Sequence, residues 1–233
     1  MSLAPYSQVL AIGHANGIDH QCFGTCDDAS LSELTRTLDE ALRGFAHGAF
    51  VRLGSRSPKD TPIGLATGCR ATTGLEAIRL LTAGSRRIAF DLRQCLRYRY
   101  RPWLFLRAWQ EIDGYAELRC FWLGGRLAGV SQYHHRCPLP QPTRGWLIAG
   151  AGHAIARFLP RFRAAWGAHA SVFDLWLSPV APDGRATLIE INPCGASTDP
   201  CLFSWQDGDF DGSLRIRTES GIERHALFAD TSV

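Results

Sequence analysis

An α+β fold is what the 233-residue sequence predicts, and three local patterns predict it. Two sequences of capping-box form, Ser30-x-x-Glu33 and Thr73-x-x-Glu76, each open a run with helical spacing of leucines. Gly124-Gly125 joins two strand-like runs as a two-residue hairpin turn. Residues 171–176 and 188–192 form a second hairpin across a Pro/Gly-rich loop.

In chain order, residues 8–12 are a short apolar run, followed by polar, Gly-rich sequence. Leu31, Leu34, Leu38 and Leu42 share a helix face, and Gly44 supplies a stop. Residues 49–53 read as a strand and 54–62 as a polar loop. The second helix carries Leu75, Ile78 and Leu81 and stops at Gly84. Residues 88–92 fit a strand or a helical turn equally. Residues 93–101 interleave four arginines with Tyr98 and Tyr100, the chemistry of either a nucleic-acid surface or a solvated linker. Residues 103–109 read as a buried strand. In the Gly-Gly hairpin, regular pairing sets Arg119 against Val130 and Glu117 against Gln132, so Glu117, Arg119 and Gln132 share one face. That face is either ligand-facing or a solvated, salt-bridged ribbon. Residues 145–166 look helical, with Pro160 expected to break or kink them. A loop at 206–212 and a strand at 214–217 precede a tail.

Composition narrows the function. Hydrophobic content of 45% and a net charge of +3 fit an ordinary folded protein. No apolar run approaches the roughly 20 residues needed to span a membrane, and the N-terminus lacks a basic n-region, so the cytoplasm is the expected location. Of 25 basic residues only Lys59 is a lysine, so any lysine chemistry must use it. Lys59-Asp60-Thr61-Pro62 does not match the Lys-x-Asp-Gly pattern of covalent nucleotidyltransferases. The eight cysteines read mainly as small buried hydrophobes in a reducing compartment, Cys194 and Cys201 included. His14, His20, Cys22 and Cys26 lack the paired spacing of a zinc knuckle and are read as a local loop.

The richest chemistry lies in the second hairpin. Asp174 on one strand and Glu190 and Asn192 on the other bring two carboxylates and an amide together. Such groups among apolar neighbours are costly to bury without a cation or hydrogen-bond partner. Hard oxygen donors in this number suit Mg²⁺ held jointly with phosphate.

Four segments in order then carry a family resemblance: Phe50-Val51-Arg52-Leu53 with Ser57-Pro58-Lys59-Asp60; Leu106-Arg107-Ala108-Trp109; Glu117-Leu118-Arg119-Cys120-Phe121 with Gly129-Val130-Ser131-Gln132-Tyr133; and Phe173-Asp174 with Ile189-Glu190-Ile191-Asn192-Pro193-x-Gly195, Thr198-Asp199 and Leu202-Phe203-Ser204-Trp205. Over residues 48–206 the chain resembles the cell division cycle protein 123 family, a compact branch of the ATP-grasp fold. The resemblance implies two lobes, residues 1–102 and 103–233, whose antiparallel sheets enclose a nucleotide cleft. It implies that Arg52 and Lys59 face the phosphates, that Arg107, Ala108 and Trp109 form a hinge against adenine, and that Glu117, Arg119 and Gln132 reach ribose or phosphate. Asp174, Glu190 and Asn192 would hold magnesium beside ATP. Arg52 and Glu190 stand where the family usually has Lys and Asp, and Cys194, Ala196 and Tyr133 also depart from its pattern. The expected function is an ATP-dependent ligase activating an acceptor oxyanion, a carboxylate or an RNA end, with Arg52, Lys59 and Arg119 as catalytic residues. The alternative is a non-catalytic, ATP-dependent assembly factor for a protein client, as the eukaryotic members assemble translation initiation factor 2.

Overall fold

The computed structural model describes residues 28–54, 56–178 and 185–228. The apolar run at 8–12 and the His14–Cys26 cluster lie outside them. The chain divides into two compact units, Met1–Glu111 and Ile112–Val233.

Among the described residues the first unit begins with helix α1 (Asp28–Leu42), which starts ahead of Ser30 and so places that residue inside the helix. Leu34, Leu38 and Leu42 are buried, as their spacing requires. Strand β1 (Ala49–Leu53) buries alternate residues. The expected loop then contains a short helix, α2 (Pro62–Thr67), which the sequence reading missed. Its signal is Thr61-Pro62: the Thr61 hydroxyl accepts from the Gly64 amide, and Pro62 sits where no amide is needed. Strand β2 (Arg70–Ala71) leads to α3 (Gly74–Thr82), where the Thr73/Glu76 capping box forms as expected. Gly74 approaches α1 so closely that a Cβ would stand 2.2 Å from the Thr35 carbonyl oxygen. The ambiguous stretch at 88–92 is helical, within α4 (Arg86–Arg97), because Ser85 caps it and Ile88, Ala89, Leu92 and Cys95 line one buried face.

Strand β3 (Leu104–Ala108) pairs with β1 along its whole length, giving an antiparallel three-stranded sheet of order β2-β1-β3. It therefore belongs to the first unit, not to the second lobe expected from residue 103. As an edge strand it buries only Leu104, which corrects the reading of 103–109 as a buried strand. The core of this unit packs Leu34, Leu38, Val51, Ile78, Leu81 and Leu92 between the helices and the sheet.

The second unit is a six-stranded sheet of order β7-β6-β4-β5-β8-β9, after a 3₁₀ turn at Gly114–Ala116. Its strands are β4 (Glu117–Leu123), β5 (Arg126–Gln132), β6 (Ser171–Leu177), β7 (Ala186–Asn192), β8 (Ser213–Thr218) and β9 (Gly221–Ala226). All neighbours are antiparallel except β5 and β8. Strand β9 occupies what the sequence reading left as tail. Helix α5 (Gln141–Ala165) covers one sheet face with Leu147, Ala151, Ile155 and Phe162. It runs through Pro160, so of the expected break or kink the break does not occur. Pro160 and Ala156, the residue whose carbonyl loses its amide donor, are both exposed, where solvent supplies the missing partner. The other face carries an aromatic cluster of Phe121, Phe203, Trp205 and Phe210, with the polar groups described next beside it.

Candidate functional site

In the second unit one row of residues crosses three strands. Arg119 on β4 stands opposite Asp174 on β6, which stands opposite Glu190 on β7. Asp174 is fully buried and Arg119 is 6% exposed. Arg119 donates from Nε to Asp174 Oδ1 at 2.8 Å and from a terminal nitrogen to Oδ2 at 2.9 Å. Its other terminal nitrogen donates to the Asp199 carbonyl at 3.0 Å. Asn192 Nδ2 donates to Asp174 Oδ2 at 3.1 Å. The hairpin expectation is thus met: Asp174, Glu190 and Asn192 gather on one face.

The planar fork of Arg119 matches the carboxylate on two atoms, the geometry in which a buried pair is strongest. Burial opposes the charged guanidinium, yet the hydrogen bonds and charge of Asp174 prevail and push its pKa up. Tyr133 lies under the guanidinium, 4.8 Å from ring centroid to Cζ. Burial, and then the negative charges of Glu117 and Asp174, raise the Tyr133 hydroxyl to about 12, so it stays protonated. Three carboxylates (Glu117, Asp174, Glu190) therefore surround a single arginine, leaving a local excess of negative charge. That donor set fits a hard divalent cation, because Glu190 and Asn192 bring further oxygen-bearing groups to the face that carries Asp174.

Gln132 is not part of this row. Strand β5 holds one residue more than β4 between Phe121 and Leu123, a β-bulge at Ala128. Pairing beyond it slips by one, so Arg119 faces Ser131 and Gln132 faces Leu118 on the opposite side of the sheet. There Gln132 is buried and structural. Its Nε2 donates to the carbonyls of His134 and Cys137, and its Oε1 accepts from the Arg217 amide. The shared face expected for Glu117, Arg119 and Gln132 is corrected accordingly: Ser131 and Tyr133 take the place given to Gln132.

The segment after β7 explains the long motif at 193–205. Thr198 donates to the Pro193 carbonyl and accepts from Trp205 Nε1 through its own carbonyl, folding the turn back over the sheet. Leu202 donates its amide to Ser131 Oγ. Phe203 lies so near Gly129 that a Cβ there would stand 2.6 Å from the ring, which is why this strand position has no side chain. Arg215, buried beneath, binds the carboxylates of Asp209 and Asp211 and lies 3.9 Å over Phe203. Asp199 and Ser131 fall within the segments that carry the family resemblance, but the sequence holds no signal for the bonds they make.

In the first unit, β1 and β3 set Phe50 opposite Arg107 and Arg52 opposite Phe105. These residues point away from the buried Ala49, Val51 and Leu53. Lys59 Nζ lies 6.0 Å from the Phe50 ring, so Arg52, Lys59 and Arg107 gather on one sheet face. Arg52 donates to the Gly54 carbonyl at 3.2 Å. Ala108 is exposed, and Trp109 closes the strand through its amide to the Gly48 carbonyl. Arg70, which the sequence reading did not single out, pairs beside Phe50 and stacks on Trp109 at 4.9 Å. Its Nε is buried without a hydrogen-bond partner. Asp60 anchors the Lys59 loop by accepting from the Ser85 hydroxyl and the Arg87 amide. The basic run of 93–101 places Arg93, Arg97, Tyr98, Arg99, Tyr100 and Arg101 in exposed positions.

The D123 family model matches residues 15–221, beyond the 48–206 expected. A translation initiation factor eIF2 assembly protein of Xenopus laevis is 27% identical over 204 residues, covering 81% of this chain and 57% of its own length. One from Kluyveromyces lactis is 29% identical over 199 residues, covering 74% and 51%. Cell division cycle protein 123 of Candida glabrata is 32% identical over 132 residues, covering 53% and 36%. The chain spans about half the length of the curated relatives it matches. The structure of Cdc123 from Schizosaccharomyces pombe superposes with a TM-score of 0.68 at 23% identity, covering 89% of this chain and 82% of that one. That likeness establishes the α+β fold. Among the described residues no helix is long and apolar enough to cross a membrane.

Proposed function

The chain belongs to the D123 family, the cell division cycle protein 123 family, and from that premise we propose that it is an ATP-dependent assembly factor for a translation-factor-like protein client. The relatives' names speak of eIF2 assembly and not of ligation, so they support the assembly factor over the ligase. The single structural observation that supports this choice is the state of Arg119. Three of its five N–H donors, one on each guanidinium nitrogen, are held by Asp174 and the Asp199 carbonyl. A group held this way is positioned before any ligand arrives, which suits a fixed binding surface.

In this reading Asp174, Glu190 and Asn192 hold magnesium, which when bound neutralises phosphate charge. Arg52, Lys59 and Arg107, with Arg70 beside them, offer cations to ATP phosphates, and Trp109 offers an aromatic surface to the base. Arg119 keeps Asp174 ionised and oriented, while Glu117 adds negative charge. No covalent step is required of any side chain.

The test combines nucleotide binding, turnover and client binding. Purified chain should bind Mg-ATP, release no ADP or AMP with carboxylate or RNA acceptors, and form an ATP-dependent complex with purified eIF2 subunits on size-exclusion chromatography. Nucleotide turnover coupled to an acceptor would restore the ligase reading. Absence of a complex with and without Mg-ATP would overturn the assembly role.

A further inference from the structure

Beside the acidic row lies a second cluster of different chemistry. One ring nitrogen of His135, the Cys201 sulfur and a carboxylate oxygen of Asp199 lie within 4.8 Å of one another. They line a cavity of about 370 Å³ together with Arg119, Tyr133 and Cys137. Sequence places them far apart, at the end of β5 and in the turn after Thr198; the fold of that turn brings them together.

We propose that His135, Asp199 and Cys201 form a binding site for a zinc-class divalent ion, separate from the hard oxygen donors of Asp174, Glu190 and Asn192. Imidazole and thiolate are the donors that select zinc-class ions over magnesium. The cluster is organised around one atom, the Tyr133 carbonyl oxygen. The His135 amide and His135 Nδ1 lie 2.8 and 3.1 Å from it, and Cys201 Sγ lies 3.7 Å from it. A carbonyl only accepts, so this contact puts the ring proton on Nδ1 and leaves the lone pair on Nε2. A metal-ligating histidine is held in the same way, its second nitrogen donating to a backbone carbonyl. Asp199 Oδ1 accepts from the Cys201 amide at 2.8 Å, which orients its carboxylate and leaves Oδ2 for a ligand.

The charge balance is favourable. On binding, the Cys201 S–H bond breaks, its proton passes to solvent and the thiolate coordinates. Thiolate and carboxylate together neutralise a divalent ion, and His135 adds a neutral donor. Burial raises the free thiol to about 12, while Arg119 favours the thiolate. Tetrahedral ligands at about 2.0–2.3 Å from zinc stand roughly 3.5 Å apart. Small side-chain rotations therefore suffice to close the cluster. Three protein ligands leave the fourth position open toward the cavity. Because Arg119 binds the Asp199 carbonyl, the ion would sit one residue from the guanidinium that holds Asp174.

The experiment uses the full chain with Cys22→Ser and Cys26→Ser, which removes the two cysteines that follow His14 and His20 in the sequence. Titration with Co²⁺ should give one equivalent bound, tetrahedral visible bands and a sulfur-to-metal charge-transfer band, all displaced by Zn²⁺. Cys201→Ser should abolish the charge-transfer band, and His135→Ala should weaken Co²⁺ more than about 10-fold. Cys137→Ser should retain both. Thermal melts confirm that each variant folds, and His135→Ala decides the matter if Cys201→Ser does not fold. Absence of Co²⁺ binding, an undiminished affinity in His135→Ala, or loss of the sulfur band in Cys137→Ser would overturn the site. Mg-ATP binding, measured on the same samples, tests the acidic row separately.

Discussion

The two units treat charge in opposite ways. In the second, Arg119 and Asp174 are buried, and each satisfies the other through two hydrogen bonds. In the first, Arg107 is exposed and Arg52 and Lys59 are half-buried, spread over an open sheet face with Phe50 and Phe105. The difference separates two contributions to binding. A buried, mutually satisfied network is preorganised, and its cost was met in folding. Cations on an exposed face lose side-chain freedom when a ligand orders them, so they add attraction at some entropic cost. Stability and affinity should therefore come apart between the two units.

The sharpest way to break the contrast is Asp174→Ala. It strands a buried guanidinium, so we expect about 3–5 kcal/mol of destabilisation in urea unfolding, with loss of Mg-ATP binding. A stability change close to zero would mean that Arg119 finds solvent, and that the row is not buried in solution. Next is Gly129→Ala, which drives a methyl into the Phe203 ring; about 1–3 kcal/mol should be lost by the same measurement. Thr73→Ala removes one cap of α3 in the first unit and should cost about 1 kcal/mol, leaving the acidic row and its chemistry untouched. Lys59→Ala and Arg107→Ala should change stability by less than about 0.5 kcal/mol while weakening Mg-ATP in a titration. Equal affinities in these variants would remove the open face from the nucleotide site.

A pH series sharpens the same comparison within the second unit. Burial raises the Asp211 carboxyl, but the Ser213 hydroxyl and amide and the Arg215 guanidinium override it and hold it down to about 2, against an ordinary 3.8. A folded value below the unfolded one means that the contribution is complete above the ordinary value. It is then lost as pH falls toward about 2. Acid unfolding of Asp211→Asn should accordingly show a shallower dependence over that window, and an unchanged curve would show the Arg215 cluster to be irrelevant to acid stability.

How much of this was legible depended on range. Capping boxes, leucine spacing and Gly-Gly turns are local, and they located α3, the β4–β5 hairpin and the β6–β7 hairpin. The period-two rule placed Glu190 and Asn192 together, and the hairpin then brought in Asp174. What failed was whatever needed non-local information. The bulge at Ala128 has no local mark, so Gln132 was assigned to the wrong face. A break at Pro160 was one of two expectations, with a kink, because sequence does not show which side of the helix meets solvent. The tie from Arg119 to the Asp199 carbonyl spans 80 residues and depends on a turn that no periodicity describes. Strand β3 was given to the second lobe because its partner β1 lies far back in the chain.

The bulge in β5 carries a consequence for how such a surface diversifies. A strand presents alternate residues, and the extra residue at Ala128 is what a regular β5 would lack. Deleting Ala128 would close the bulge and leave Arg119 opposite Ser131 and Gln132 opposite Leu118, so this strand can lose that residue without exchanging its faces. An Ala128 deletion variant should therefore keep its affinity for Mg-nucleotides in a titration, and a loss of binding would show that the local twist of the bulge, and not register alone, shapes the surface.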